Sequence, residues 1–127
     1  MATPYDHARS SVKRFGGTAQ DYLPIHQWFD ASKAFMGDFR HRALRHHAQG
    51  IFECEQVFGV LTTIVTAQAL TQVPTRLIGE QHVIEDCGRI PTLQDWLGRI
   101  EPEPWMNQPR RLSQELDRRP SEGTEGT

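Results

Sequence analysis

Three segments of this chain each place an imidazole beside a carboxylate or a second imidazole. They are His26 with Asp30, His46-His47 with Glu53 and Glu55, and His82 with Glu80, Glu85 and Asp86. Neutral imidazole and carboxylate ligands suit zinc, manganese or iron, and a catalytic metal needs only about three protein ligands because one position is kept for water. Water bound there becomes a nucleophile near neutral pH, so hydrolysis is the natural reaction class. On this reading His26, His47 and His82 are the expected metal ligands, and Glu80 and Asp86 are the expected catalytic carboxylates. The local signatures of metalloenzymes are missing: the sequence has no His-Glu-x-x-His, no His-Asp dipeptide and no Glu-x-x-His pair. A structural reading competes, because a histidine on an apolar helix face is more often a buried imidazole satisfied by a carbonyl or carboxylate. His26–Asp30 and His82–Asp86 also read as ordinary pairs one helical turn apart.

Arginines form the second feature with chemical potential. Arg40, Arg42 and Arg45 lie together, and guanidinium groups bind phosphate or carboxylate in bidentate fashion, so these three are the expected anion-binding residues, with Arg14, Lys33, Arg76 and Arg89 as further candidates. Their wheel positions differ, and pairing with Asp38, Glu53, Glu55, Glu85 and Asp86 is the structural alternative. Cys54 and Cys87 are far apart with no Cys-x-x-Cys spacing, so the sequence points to reduced thiols rather than to a disulfide framework or a zinc ribbon.

These residues need elements to hold them. At 127 residues the chain is long enough for one hydrophobic core. Its formal net charge of −2 supplies no global field to draw in nucleic acid or an anionic membrane. No stretch approaches the roughly 20 apolar residues of a membrane span, and no signal-peptide pattern is present, so a soluble cytoplasmic protein is expected. Residues 1–20 are polar and glycine-bearing and read as an arm. A helix capped by Asp21 is predicted over Leu23 to Phe35, with Ile25, Trp28, Phe29, Phe35 and Met36 on one face. A second helix is predicted from Asp38 to about Phe58, with Gly50 marking a break or the close approach of another backbone. On its wheel Phe39, Ala43, Ile51, Cys54, Val57 and Phe58 share a side, His47 falls in the middle of it, His46 at its edge, and His41 points away.

The β-branched run Val60 to Thr66 predicts a strand, with Val73 to Ile78 as its antiparallel partner and Pro74 at an edge or at the strand's start. Gly79 to Gly88 reads as a short helix. Thr92 and Asp95 open another helix through Ile100, and Pro102 to Trp105 forms a strap whose indole is expected to close the core. Residues 107–127 read as a polar, disordered tail.

The chain resembles an uncharacterised family of bacterial and tailed-phage proteins that has no assigned activity. The resemblance spans roughly Pro4 to Met106. It rests on the blocks Tyr22-Leu23-Pro24-Ile25-His26-Gln27-Trp28, Phe39-Arg40-His41-Arg42-Ala43-Leu44-Arg45-His46-His47, Leu77-Ile78-Gly79-Glu80-Gln81-His82-Val83 and Gly88-Arg89-Ile90-Pro91-Thr92, in order. It implies a prokaryotic or phage cytosolic protein and gives weight to His26, His47, Glu80, His82 and Asp86 without assigning them roles. After Val57-Phe58-Gly59 the relatives carry a polar Asp-Gly-type turn where this chain has Thr66-Ala67-Gln68-Ala69-Leu70-Thr71-Gln72.

The sequence therefore predicts a single, mainly helical α+β domain over residues 21–106, with a helix pair, a small antiparallel hairpin and two shorter helices. Its first functional reading is a metal-binding protein, a small metal-dependent hydrolase using zinc, manganese or iron. The alternatives are a non-catalytic accessory protein, such as a phage anti-defence protein, binding a small anionic ligand or a host protein, and a structural homo-oligomer.

Overall fold

The computed structural model describes residues 2–107. Its architecture is mainly helical α+β: α1 (Pro4–Phe15), α2 (Ala19–Asp30), α3 (Arg42–Arg45), α4 (Ala48–Phe58), strands β1 (Leu61–Val65) and β2 (Leu70–Pro74), α5 (Thr75–Cys87) and α6 (Leu93–Leu97). Short 3-10 turns cover Ala31–Ala34, Phe39–His41 and Pro104–Asn107. No helix among the described residues is long and apolar enough to cross a membrane.

The expected N-terminal arm is a helix. Thr3 caps α1 in a capping box with Asp6, and Pro4 occupies the first turn, where its missing N–H costs nothing. Gly16 and Gly17, both at positive φ, end α1 and let the chain double back into α2. This packing buries His7, Ala8 and Ser11. α2 starts earlier than expected because Thr18 is its cap. Asp21, read from the sequence as that cap, is instead the third residue of the helix and accepts from the Thr18 N–H at 2.8 Å. It ends at Asp30, so the predicted apolar face does not continue: Phe35 is 84% exposed.

The long helix expected from Asp38 to Phe58 is broken in two. α3 stops at Arg45, His46 leaves helical geometry, and His47 is the extended N-cap of α4. Gly50 permits this corner, since a Cβ there would stand 1.8 Å from the Arg45 carbonyl oxygen. A helical wheel drawn through the break therefore misplaces what lies before it: His41 is buried, whereas Phe39 is exposed.

β1 and β2 form an antiparallel pair in the register Leu61↔Pro74 to Val65↔Leu70. The partner strand ends where it was expected to begin, because Pro74 is the cap of α5 and Thr75 already starts the helix. In place of an Asn-Gly turn, Thr66 Oγ1 donates to the Ala69 carbonyl at 2.7 Å and accepts from the Ala69 N–H at 3.2 Å. α6 is shorter than predicted and closes at Leu97, and Trp105 is 74% exposed, so its indole does not close the core. Apart from Asn107, the expected polar tail lies outside the described residues.

Tyr22, Ile25, Phe29, Ile51, Cys54, Ile64, Val73, Ile78 and Val83 make the apolar core with Ala8. Gly79 lets α5 close on it, with Phe29 Cζ and Ile51 Cγ2 at 3.2 and 3.4 Å from the position a Cβ would take. Beside this apolar half lies a polar one, since five of the largest fully buried side chains other than His47 are histidines: His7, His26, His41, His46 and His82.

Candidate metal centre

Three helices each present two polar residues one turn apart toward the interior: His7 and Ser11 on α1, His26 and Asp30 on α2, His82 and Asp86 on α5. The Phe39–His41 turn and the end of α3 add His41 and His46. Phe29 closes the apolar side, its ring stacked on His82 with centroids 4.8 Å apart.

The hydrogen-bond network fixes which nitrogen of each ring faces the centre. Gln81 Nε2 donates to the His7 carbonyl at 3.0 Å, so its Oε1 is the acceptor for Ser11 Oγ at 2.6 Å. The single hydroxyl proton of Ser11 is thereby used, and His26 Nε2 must carry the proton that it shares with Ser11 Oγ at 2.8 Å. His26 Nδ1 is then a lone pair, and it accepts from His82 Nδ1 at 2.9 Å. Burial, with the nearby charge of His82 and His7, lowers the His26 pKa to about 2, which keeps this imidazole neutral.

In the neutral ring His82 is then left with its Nε2 lone pair inward, and this atom lies 3.3 Å from Asp30 Oδ1, 3.2 Å from Asp86 Oδ2 and 3.1 Å from His46 Nε2. His41 is arranged the same way. Its Nδ1–H donates to the Asp38 carbonyl at 2.7 Å, and its buried Nε2 has no hydrogen-bond partner among the described residues and lies 3.7 Å from Asp30 Oδ1. In His7, Nδ1–H donates to Glu85 Oε1 at 2.7 Å, and the likewise unpartnered Nε2 stands 3.2 Å from Asp86 Oδ1. His46 Nε2 lies 3.0 Å from Asp86 Oδ2 and 3.4 Å from Asp30 Oδ1.

Lone pairs facing carboxylate oxygens repel, and only protons or a cation placed among them make the arrangement favourable. Two ligand atoms on a tetrahedral ion with bonds of about 2.0–2.1 Å are separated by about 3.3 Å, which matches these spacings. The donor set therefore fits a metal. The ligating atoms fall into overlapping groups in which all lie within 4.8 Å of one another: His7, Asp30, His82 and Asp86; Asp30, His41 and His46; and His7, His26 and His82. Asp30 belongs to two of them, and its Oδ2 is buried without a hydrogen-bond partner among the described residues.

Where no metal is bound, the His46–Asp86 and His82–Asp30 contacts are imidazole–carboxylate hydrogen bonds. Burial opposes the charged form of Asp30 and Asp86, but hydrogen bonds from the surrounding imidazoles outweigh it and hold both well below the usual carboxylate range. Burial likewise opposes protonation of His7, and Asp86 and Glu85 together outweigh it, so the His7 pKa is raised.

Of the expected ligands, the structure brings His26 and His82 together and leaves His47 outside. His47 Nδ1 accepts from the Gly50 N–H at 2.9 Å and Nε2 donates to the Ala43 carbonyl at 3.1 Å, so both nitrogens serve the corner between α3 and α4. Of the expected catalytic carboxylates, Asp86 is in the centre. Glu80 lies on the outer side of α5 and pairs with Arg76 at 3.1 Å. The arginines also separate. Arg40 pairs with Asp38 at 2.9 Å on the surface, Arg45 lies over the Trp28 ring at 4.1 Å, and Arg42 alone reaches the centre, donating to the Asp86 carbonyl at 3.3 Å. Glu53 and Glu55 take no part in the cluster. Sequence reasoning missed His7, whose signal was the Thr3-Pro4-x-Asp6 helix start, and turned His41 outward.

A mainly helical α+β fold around a buried histidine–aspartate centre is the class that the structure defines. The chain belongs to the family described as a domain of unknown function (DUF6915), which matches residues 2–106. No match to a curated protein or to a solved structure was found.

Proposed function

We propose that this chain is a metal-binding protein whose centre takes a divalent transition metal, zinc, manganese or iron, and that it is a small metal-dependent hydrolase. One observation carries the reading: His7, His41 and His82 each commit Nδ1–H to an outer acceptor and turn Nε2 toward Asp30 and Asp86. Metal-ligating histidines are held in this way, by a second partner that fixes the tautomer and the ring orientation. His7, His41, His46, His82, Asp30 and Asp86 are the ligands, and His26, Glu85, Ser11 and Gln81 position them. Asp30 is shared by two ligand groups, which gives room for a pair of ions.

A bound metal of this kind supplies a nucleophilic water near neutral pH and a Lewis acid for the substrate. Asp86 keeps its carboxylate turned inward to the imidazoles as a ligand, and the same residue borders a surface pocket that lies beside the centre. The prokaryotic or phage source and cytoplasmic location implied by the sequence resemblance accord with such a protein.

Elemental analysis of protein purified without an affinity tag tests the reading. About one or two equivalents of transition metal per chain are expected, with a loss of thermal stability on chelation. A metal-free protein that is equally stable and takes up no added zinc, manganese or iron would overturn it.

A further inference from the structure

The surface beside the centre is cationic. Arg42, Arg89 and Arg99 line a pocket of about 420 Å³ together with Asp86, Asp95 and Trp96. Asp86 turns its carboxylate inward to the imidazoles, and Asp95 is paired with Arg89 at 3.0 Å. Arg42 and Arg99 form no ion pair among the described residues, and the Arg42 Nε is a buried atom without a hydrogen-bond partner among them. Trp96 and Arg99 also border a second, apolar hollow of about 340 Å³ with Phe39, Ala43 and Ile100. The indole N–H of Trp96 is committed to the His46 carbonyl at 2.9 Å, so its remaining offer to a ligand is its ring.

We propose that this pocket binds a small phosphate-bearing molecule with a planar ring, the phosphate on Arg42, Arg89 and Arg99 and the ring against Trp96. A carboxylate is satisfied by one guanidinium fork, whereas the three outer oxygens of a phosphate can use more than one. The apolar hollow that shares Trp96 and Arg99 with this pocket gives a planar, weakly polar group a surface next to the anion site. The same residues join this pocket to the centre: Arg42 through the Asp86 carbonyl and Trp96 through the His46 carbonyl. A phosphate ester seated there lies against the side of the centre formed by Asp86. That last placement rests on the metal reading, and binding of the anion does not.

Titration calorimetry with adenosine monophosphate, adenosine and inorganic phosphate, on metal-loaded and on chelated protein, tests the proposal. Adenosine monophosphate is expected to bind more than tenfold tighter than either fragment, and Arg42→Ala and Arg99→Ala are each expected to weaken it roughly tenfold or more. Trp96→Leu should weaken adenosine monophosphate and leave inorganic phosphate unchanged. Arg99 is exposed, so its variant keeps the test sound should the other two unfold. Binding of adenosine monophosphate that is absent in both metal states, or unchanged in Arg99→Ala, overturns the pocket whatever the metal content. Binding that is lost in Arg99→Ala, in a protein that never holds metal, upholds the pocket and removes the metal reading.

Discussion

His82 Nδ1 lies 2.9 Å from His26 Nδ1, and this one contact decides which nitrogen of His82 faces Asp30 and Asp86. On the proposed reading His26 is a positioning residue, held neutral by burial so that it can accept. His26→Leu removes the acceptor and frees the His82 ring to flip. Metal affinity, measured by competition with a chromophoric chelator, should fall about 10–100-fold, the usual cost of losing such an outer partner. His26→Gln, whose amide oxygen can accept in the same place, should recover part of it. Equal affinity in wild type and His26→Leu would show that His82 is oriented by something else.

Asp30 lies in two of the three ligand groups, whereas His41 lies in one. Asp30→Asn is therefore expected to abolish metal uptake, and His41→Ala to lower it by one equivalent while the other is retained. Metal content by elemental analysis, with circular dichroism to confirm folding, reads both variants. If His41→Ala lost everything and Asp30→Asn lost only part, the roles of the two residues would be reversed.

The pairs His26–Asp30 and His82–Asp86 were legible in the sequence because each sits within one unbroken helix, where a spacing of four residues fixes a shared face. The hairpin's first strand was legible from its β-branched run. The other half of the centre was not. His41 and His46 owe their positions to a break at His46–His47, and a wheel that assumes continuity turns His41 outward and Phe39 inward, the reverse of what is found. Gly50 did announce the close backbone approach, though not where the chain turns. His7 was hidden because α1 buries small or polar residues (His7, Ala8 and Ser11) in place of large apolar ones, so the segment's low apolar content read as an arm. Arg42 and Arg89 were among the basic residues that the sequence offered as anion-binding candidates, but Arg99 was not, because only the fold brings these three from separate elements to one pocket.

His47 looked like the most inward histidine of its segment, yet its ring is a helix cap. His47→Ala leaves the Gly50 N–H without its side-chain acceptor and should destabilise the fold by about 0.5–2 kcal/mol, the range for loss of an N-cap. Metal stoichiometry should stay at the wild-type value. Denaturant unfolding and elemental analysis on the same preparation separate the two effects, and loss of metal at unchanged stability would make His47 a ligand after all.

Burial pushes the Cys54 thiol up to about 12, with the nearby Glu55 carboxylate acting in the same direction. Its thiolate is therefore scarce in the folded protein at pH 8, and alkylation by iodoacetamide should be slow until the chain unfolds. The sign for stability follows from linkage. The thiol's contribution is fully present below its unfolded pKa of about 8.5 and declines as pH rises toward the folded value. Cys54→Ala should flatten that alkaline decline, and rapid labelling of Cys54 in native protein would contradict its burial.

Gly50 tests whether the corner between α3 and α4 builds the centre. A methyl group at this position would stand 1.8 Å from the Arg45 carbonyl oxygen and 2.6 Å from its carbon, both of them backbone atoms that no rotamer change can move. Gly50→Ala must therefore displace α3 from α4, with a destabilisation of about 3 kcal/mol or more, in the range of severe overpacking. Displacing α3 carries His46 and the adjoining His41 turn away from Asp30, so metal affinity should fall in the same variant even where enough fold remains to measure it. Gly37→Ala is the control, because a Cβ there meets nothing within 4 Å and the change should stay within about 0.5 kcal/mol of wild type. If Gly50→Ala is destabilised yet binds metal as wild type does, the ligands on this corner are not needed to hold the ion, and the remaining group of His7, Asp30, His82 and Asp86 must suffice.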